Sequence, residues 1–561
     1  AGIAITEENF DPGVLQWIKN NIGRIDTDGD GFLSDRELET TTMNFNPDNT
    51  KVLSQLKSLK GLEYFTNLTT VDLSKAKNGV PTLTNVDAVL NLPKLTTLNI
   101  SNTGVTGELD VSNLQALSGI TGFGTKITGI TFGEKNTNVS SVRMGGLTSL
   151  SSLSGLEYLT NQSGVTLKLQ NTSVRSLNIP SGTNGSHAKF TEIDCSNNGA
   201  MENIVIGENV TVGILNLTDA AALTSISFPT APMNMTTLNL TGTTALTNLE
   251  NLKSQLNTLT SLTLDGTNLG NSVTDLDFSS NTSITTLSLA NFPNTTVTLP
   301  TGDRLVNLTL NNVQVTDLDL SKRASLRTLS LVNLSGGAIK FPNDLTSLTL
   351  DNIDTTRLDF SNLTGLTSFS LANVKSGNIQ LPNATSVTEL TLTNVSGRKI
   401  TFPAANGVTS LTLDNVAGEV DLSSMAKLTT INLRNMPKGF HVNFGSNTTT
   451  TTLDMTGSDL SEYESDQIKG SLSKLATLTL NNTNISTFSS ECIKDISTLT
   501  RININNNTAL ESVEFQDDGN ALKQILVRNC PDLSEITIED NGKVEWISID
   551  NNKKLTTEGL R

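Results

Sequence analysis

The chain has 561 residues, which is enough for several globular domains or for one repeat array whose core grows along a line. Its 38 basic and 55 acidic residues give a formal net charge of −17, which disfavours nucleic acid and anionic membranes as partners and leaves divalent cations open. No apolar run reaches the roughly 18 to 20 residues that a membrane helix needs, so the sequence predicts no membrane span.

The first predicted element is a helix that begins after residue 11. Asp11 suits the N-cap position, and Pro12 suits the first helical position. Val14, Ile18 and Ile22 follow at a spacing of four residues, which predicts one apolar stripe along the helix.

An acidic loop, DTDGDGFLSDRE, follows at residues 26–37. Its spacing is that of a twelve-residue EF-hand loop, which binds a hard cation through oxygen ligands, so the sequence predicts one Ca²⁺ site. The alternative is an acidic turn that binds nothing specific. A short exit helix is expected around residues 36–41. The predicted metal ligands are the carboxylates of Asp26, Asp28 and Asp30, the Phe32 carbonyl, Ser34 and Glu37, with Gly31 at the sharp turn.

The rest of the chain is dominated by internal repeats of about twenty residues. Six consecutive units start 21, 19, 21, 21 and 21 residues apart, beginning with LVNLTLNNVQVTDLDLSKRAS at residue 305. Apolar residues recur at positions 1, 4 and 6 and again near 14 and 16, with turn-forming residues between them. This pattern predicts two short strands and two corners in each coil, so that stacked coils form a parallel sheet on each broad face.

An asparagine occupies position 8 of each of these six units. In a stacked coil, a side-chain amide at a fixed corner can bond the backbone of the neighbouring turn, so we expect a structural role for these residues. They are Asn312, Asn333, Asn352, Asn373, Asn394 and Asn415.

The pattern L-x-x-L-x-L-x-N followed by an apolar pair resembles the leucine-rich repeat family over roughly residues 59–559, and especially its bacterial surface members. The resemblance implies a mainly β fold, a leucine-rich-repeat solenoid of two-stranded coils with a small α-helical EF-hand-like N-terminal cap that depends on calcium. Dockerin modules share the wording of the acidic loop but pair two such loops. This chain lacks a second loop, so we expect Leu33 to pack on the first coil.

We expect three segments. Residues 1–58 form the cap, residues 59–152 a first, irregular repeat block, and residues 153–561 the main solenoid. The boundary at 153 is drawn where LSGLEYLTNQ at residues 153–162 echoes LKGLEYFTNL at residues 59–68.

The chain lacks the motifs of catalysis, so we expect no enzyme. It has only two histidines, neither beside a nucleophile signature, and Cys195 and Cys492 fit small core residues better than reactive ones. The resemblance and the start at Ala1 without a leader predict an exported, extracellular or cell-surface bacterial protein. Its expected role is adhesion or protein–protein interaction with a protein or cell-surface ligand. The alternative is a structural subunit of a filament or surface layer that self-associates through the solenoid ends.

Overall fold

The computed structural model describes residues 2–40, 44–182, 185–314, 318–404, 406–517, 519–539 and 542–561. The chain divides into two compact units, Ala1–Thr301 and Gly302–Arg561. A small helical cap begins the first unit, and stacked coils make up the rest of each unit. The coils are those of a leucine-rich repeat solenoid, which confirms the predicted fold class.

The described residues of the cap contain four short helices. Asp11 caps the first helix and Pro12 opens it, as predicted. Ile22 departs from the predicted stripe: the first helix has ended before it, and its side chain is 42% exposed. The exit helix lies at the expected place, although Thr41 falls outside the described residues. The helices are α1, Pro12–Asn20; α2, Ile22–Ile25; α3, Asp35–Thr40; and α4, Thr50–Leu53.

In the first unit, the strands of the coils pair in parallel with those of the next coil. The principal sheet contains Thr70–Asp72, Thr97–Asn99, Gly119–Thr121, Ser141–Arg143, Val165–Lys168, Lys189–Asp194, Thr211–Asn216, Thr237–Asn239, Ser261–Thr263 and Thr286–Phe292. The opposite face carries Thr106–Asp110, Lys126–Thr131 and Ser152–Ser154, then Ser176–Ile179, Asn203–Ile206, Ser225–Ser227 and Asn248–Glu250, then Asp275–Asp277 and Thr296–Thr298.

The second unit repeats this arrangement, again with parallel pairing. Its principal sheet contains Asn307–Val313, Thr328–Ser335, Ser347–Asp354, Ser368–Lys375, Glu389–Thr401, Ser410–Asp414, Thr430–Arg434, Thr452–Asp454, Thr477–Thr479, Arg501–Asn503, Gln524–Leu526 and Trp546–Ser548. The opposite face carries Leu318–Asp319, Ile339–Lys340, Leu358–Asp359, Asn378–Gln380, Ala417–Asp421, His441–Asn443, Thr487–Ser489, Ser512–Phe515 and Glu535–Ile538.

The predicted second strand is therefore present in many coils but not in all of them. In one coil the helix α5, Asp466–Ser471, lies at this position instead. The two echoed LEY sequences fold alike, each as a 3-10 turn after a glycine with positive φ, Gly61 or Gly155. The 3-10 helices are Leu62–Tyr64, Asp87–Val89, Leu156–Tyr158, Leu252–Thr258 and Ser490–Ile493.

Alternation along each strand determines which side chains form the core. Leu348 and Leu350 are fully buried, whereas Thr349 between them points outward and is half-buried. One coil cannot bury such leucines alone, but the equivalent leucines of adjacent coils meet in register. Cys195, Cys492 and Cys530 are also buried and unbridged, as the sequence predicted for the first two.

The repeat asparagines mark the corners, but their bonds differ from our expectation. Each has a φ between 52° and 54°, the left-handed region that asparagine tolerates better than most residues. Five of them, from Asn333 to Asn415, donate to side chains of the preceding coil instead of to its backbone. Asn394 donates to Asn373 at 2.9 Å and accepts from Asn415 at 2.9 Å. These corners therefore form an exposed amide ladder.

A different set of asparagines performs the role that we had expected. Asn136, Asn281 and Asn507 are almost completely buried. Asn281 donates to the carbonyls of Leu256 and Leu259 at 2.7 and 2.9 Å, and so pairs two backbone acceptors of the preceding coil. Such bonds stabilise the stack because an unpaired buried carbonyl is costly.

Substitution of Asn394 separates the contribution of its left-handed backbone from that of its side-chain hydrogen bonds. Asn394→Ala should lower the free energy of unfolding by about 2 kcal/mol, because it adds left-handed strain and removes two amide bonds. Asn394→Gly should cost less, since glycine accepts the positive φ and only the bonds are lost. Urea unfolding of both variants measures the difference, and equal losses would contradict a contribution from backbone strain.

Candidate metal centre

The acidic loop at residues 26–37 brings four of its five acidic side chains into one cluster. Asp26, Asp28, Asp30 and Glu37 each place a carboxylate oxygen within 4.8 Å of the others. Gly31 has a φ of +80°, so the sharp turn predicted at this position is present. The four carboxylates of the predicted ligand set therefore lie together in the structure.

One oxygen of this cluster indicates that a cation fits. Asp26 Oδ2 accepts a hydrogen bond from the Gly31 N–H at 2.9 Å. Asp26 Oδ1 is shielded from solvent and has no hydrogen-bond partner among the described residues. A buried carboxylate oxygen without a donor is unfavourable, and a bound divalent cation would satisfy it. The oxygen-only donor set suits Ca²⁺ better than a softer metal.

Crowding among the acids also affects their protonation. Asp28 accepts the Asp30 N–H at 3.1 Å. This backbone bond lowers the pKa of Asp28, but partial desolvation and the side chains of Asp30 and Asp26 outweigh it, so the net shift is upward. The loop thus holds its negative charges close together at an electrostatic cost that a cation would relieve.

Glu37 and Ser34 form a capping box at the start of α3. The Ser34 hydroxyl accepts the Glu37 N–H at 3.1 Å, and Glu37 Oε1 accepts the Ser34 N–H at 3.0 Å. Glu37 Oε2 accepts the Thr27 N–H at 2.7 Å, so one carboxylate ties both ends of the loop together. These bonds, the one from Ser34 foremost, lower the pKa of Glu37. Phe32 and Ser34 remain predicted ligands.

Leu33 has a main-chain partner that the sequence did not predict, and its expected packing on the first coil stays a prediction. Leu33 is fully buried, but the segment Phe32–Leu33 pairs antiparallel with the strand Ile3–Ala4. The N–H of Ile5 also donates to the Gly31 carbonyl at 3.1 Å. The N-terminal strand therefore lies beside the loop, an arrangement that a local sequence pattern could not reveal.

This pairing predicts that calcium protects the N-terminal strand. If Ca²⁺ fixes the loop, local opening of the strand Ile3–Ala4 becomes rarer, and its amides should exchange about tenfold more slowly. Hydrogen exchange read by mass spectrometry measures this rate. Glu37→Gln should abolish the protection, and equal exchange with and without Ca²⁺ in the unsubstituted chain would contradict the coupling.

Ser58 pairs with Asn85 and the Lys57 carbonyl accepts the Thr84 N–H, so Lys57 and Ser58 are counted with the first coil. The cap covers this coil through the carboxyl group of Asp11 and an aromatic cluster. Asp11 is 4% exposed, and its Oδ2 accepts the N–H groups of Lys57 and Ser58 at 3.0 and 2.9 Å. Trp17 packs edge-on against Phe45 and Phe65, with ring centroids 5.1 and 5.7 Å away.

Phe45 also protects an edge of the principal sheet. Its main chain pairs with the strand Thr70–Asp72, accepting from Asp72 at 2.8 Å and donating to Thr70 at 2.9 Å. The cap thus occupies backbone groups that an open edge strand would expose.

The comparisons with known proteins find solved structures with low sequence identity to this chain. No protein-family model and no curated protein matches the chain. An internalin, InlF, from Listeria monocytogenes is 16% identical over 81% of this chain and 98% of its own, with a TM-score of 0.25. The functional domain of InlJ from Listeria monocytogenes is 20% identical over 70% and 84%, with a TM-score of 0.26. A leucine-rich repeat protein from Bacteroides ovatus is 14% identical over 67% and 83%, with a TM-score of 0.24.

TM-scores this low support no argument, so the assignment of the fold class depends on the coils of this chain alone. Among the described residues, no helix has both the length and the apolar character needed to cross a bilayer.

Proposed function

We propose that this chain is an exported leucine-rich repeat protein of a bacterial surface, which binds a protein partner in adhesion and whose N-terminal cap is stabilised by Ca²⁺. One surface of the second unit carries this proposal. It consists of Arg501, Arg528 and Trp546 on the outward side of the principal sheet, and we name it the arginine surface.

The register of three adjacent strands brings residues of the arginine surface together. Arg501, Gln524 and Trp546 occupy one row across three adjacent strands. Arg501 Nη1 donates to Gln524 Oε1 at 3.0 Å. The Arg528 guanidinium lies 5.6 Å from the centroid of the Trp546 ring, and its Nε donates to Ser548 at 2.6 Å. The side chains are therefore ordered before any partner binds.

The chemistry of this surface suits a protein partner rich in carboxylates. Trp and Arg are enriched among the residues that dominate binding energy at protein interfaces. Trp546 is 44% exposed. Among the described residues, the ion pairs include neither Arg501 nor Arg528, whose hydrogen bonds go to neutral groups. Both guanidinium groups can therefore bind carboxylates of a partner.

Binding of the purified chain to cultured epithelial cells and to isolated cell walls tests the proposal. Arg501→Ala combined with Arg528→Ala should weaken the binding about tenfold. Arg304→Ala combined with Arg398→Ala removes the same charge at two other exposed positions and serves as the control. The proposal fails if the chain binds neither material or if both double variants bind equally.

Self-assembly is a second candidate, favoured by exposed apolar side chains on the principal sheet and on the opposite face. Ile547 is 41% exposed and Leu560 44% exposed, and a second copy could cover them. Sedimentation over a concentration series separates the candidates. A chain that stays monomeric supports adhesion. Polymerisation that is abolished by Asp26→Ala combined with Glu37→Gln supports assembly through the capped end.

A further inference from the structure

A cavity lies in the second unit where one coil departs from its neighbours. In this coil α5 occupies the position of an opposite-face strand, and the next coil carries the strand Thr487–Ser489. The space between the two elements measures about 460 Å³. This volume falls within the range of about 300 to 1,000 Å³ found for small-molecule sites.

One wall of the cavity is the edge of a sheet. The strand Thr487–Ser489 pairs with Ser512–Phe515 on one side, and no described strand pairs with it on the other. The Ser486 carbonyl accepts the Glu511 N–H at 2.8 Å, which directs the main chain of Ser486 toward that partner. Because successive residues alternate in direction, the N–H and C=O groups of Thr487 and Ser489 point the opposite way. The described hydrogen bonds include no main-chain partner for them on that side.

A second polar group at the cavity also lacks a partner. Tyr463 lines the cavity, and its hydroxyl is shielded from solvent without a hydrogen bond among the described residues. Stacking on Phe440, with centroids 5.0 Å apart, holds the ring in place. An unpaired buried hydroxyl costs about 1 to 3 kcal/mol, which a ligand with an acceptor would recover.

The remaining lining includes the acids Asp466 and Glu491 and an apolar wall. Leu460, Ile468, Leu480 and Phe488 line it, and each is less than a tenth exposed. The cavity thus combines aliphatic and aromatic contacts with a free strand edge and one phenolic donor.

We propose that this cavity binds a short peptide, with one apolar side chain against the aliphatic wall and its amide groups on the edge of Thr487–Ser489. The Tyr463 hydroxyl donates to a carbonyl of the bound peptide. Main-chain pairing along a sheet edge supplies affinity, and the apolar wall selects the side chain.

N-acetyl-L-leucinamide is a suitable probe because it carries one apolar side chain and two amides. Methionine methyl resonances of the full chain report its binding. The Met455 resonance, at the cavity, should shift saturably, and that of Met144, in the first unit, should not. N-acetylglycinamide, which lacks the apolar group, should bind at least about fivefold more weakly.

Three variants locate the contacts. Thr487→Pro removes an N–H that the described ladder does not use, and should weaken binding about fivefold. Thr487→Val keeps that N–H and should bind like the unsubstituted chain. Tyr463→Phe removes only the hydroxyl and should also weaken binding about fivefold. The proposal is overturned if the Met455 resonance does not shift saturably, or if all three variants bind the probe equally.

Discussion

Calcium should raise the unfolding midpoint of the N-terminal cap, and Glu37→Gln should remove this increase. A ligand that binds only the folded state stabilises it by about 4 kcal/mol when its free concentration is a thousand times its Kd. Trp17 reports the cap because it is buried against Phe45 and Phe65. Trp546→Phe removes the other tryptophan, so that fluorescence follows the cap alone.

Glu39→Gln is the matched control. It changes the same charge two residues away on α3, at an exposed position outside the carboxylate cluster. It should keep the calcium-dependent increase. Glu37→Gln also weakens the capping box. The quantity to compare is therefore the difference between the unfolding midpoints with and without Ca²⁺ in each variant. An equal increase in both variants would show that Glu37 is no ligand.

The dependence on pH follows from the two shifted carboxylates. The lowered pKa of Glu37 means that its ionised form stabilises the calcium-free cap at neutral pH, and this stabilisation is lost as the pH falls through the lowered value. The raised pKa of Asp28 means that protons compete with the cation at a higher pH than they would at an ordinary aspartate. We therefore expect calcium affinity to fall on mild acidification, which calorimetry across a pH series measures.

The sequence predicted those features that depend on residues close together in the chain. The acidic cluster, the turn at Gly31 and the capped start of α1 each lie within about a dozen residues, so spacing alone indicated them. The coils were equally predictable because their apolar period is local and repeats. The Ca²⁺ itself remains a prediction.

Features that join distant segments could not be predicted in this way. The pairing of Leu33 with Ile3 depends on how the chain folds back. The asparagine ladder depends on which atoms of adjacent coils meet at a corner, and the periodic asparagine did not reveal whether a side chain or the backbone receives its bond.

The abundant threonines illustrate the same limit. One threonine in many coils donates its hydroxyl to a backbone carbonyl of the preceding coil. Thr260, for example, bonds the carbonyl of Thr236 at 3.0 Å. Composition showed that threonine was common, but the role of each one follows from the stacking.

Asp11→Ala should detach the cap from the first coil. Its Oδ1 accepts the N–H groups of Gly13 and Val14, which caps α1, and its Oδ2 accepts those of Lys57 and Ser58. Loss of both sets leaves buried donors unpaired, so the free energy of unfolding followed by Trp17 should fall by about 3 to 5 kcal/mol. Urea titration of the Trp546→Phe chain measures it.

Asn49→Ala provides the matched control for Asp11→Ala. Asn49 caps α4 through Lys51 and Val52 at 3.0 and 3.3 Å, and no hydrogen bond of its side chain to a distant segment is described. Its loss should cost about 1 kcal/mol, the usual value for an N-cap. Asp11→Asn should fall between the two, because its amide keeps one acceptor for α1 but turns N–H groups toward the donors of the first coil. If Asp11→Ala costs no more than Asn49→Ala, Asp11 caps α1 only, and the cap is held on the solenoid by its apolar contacts alone.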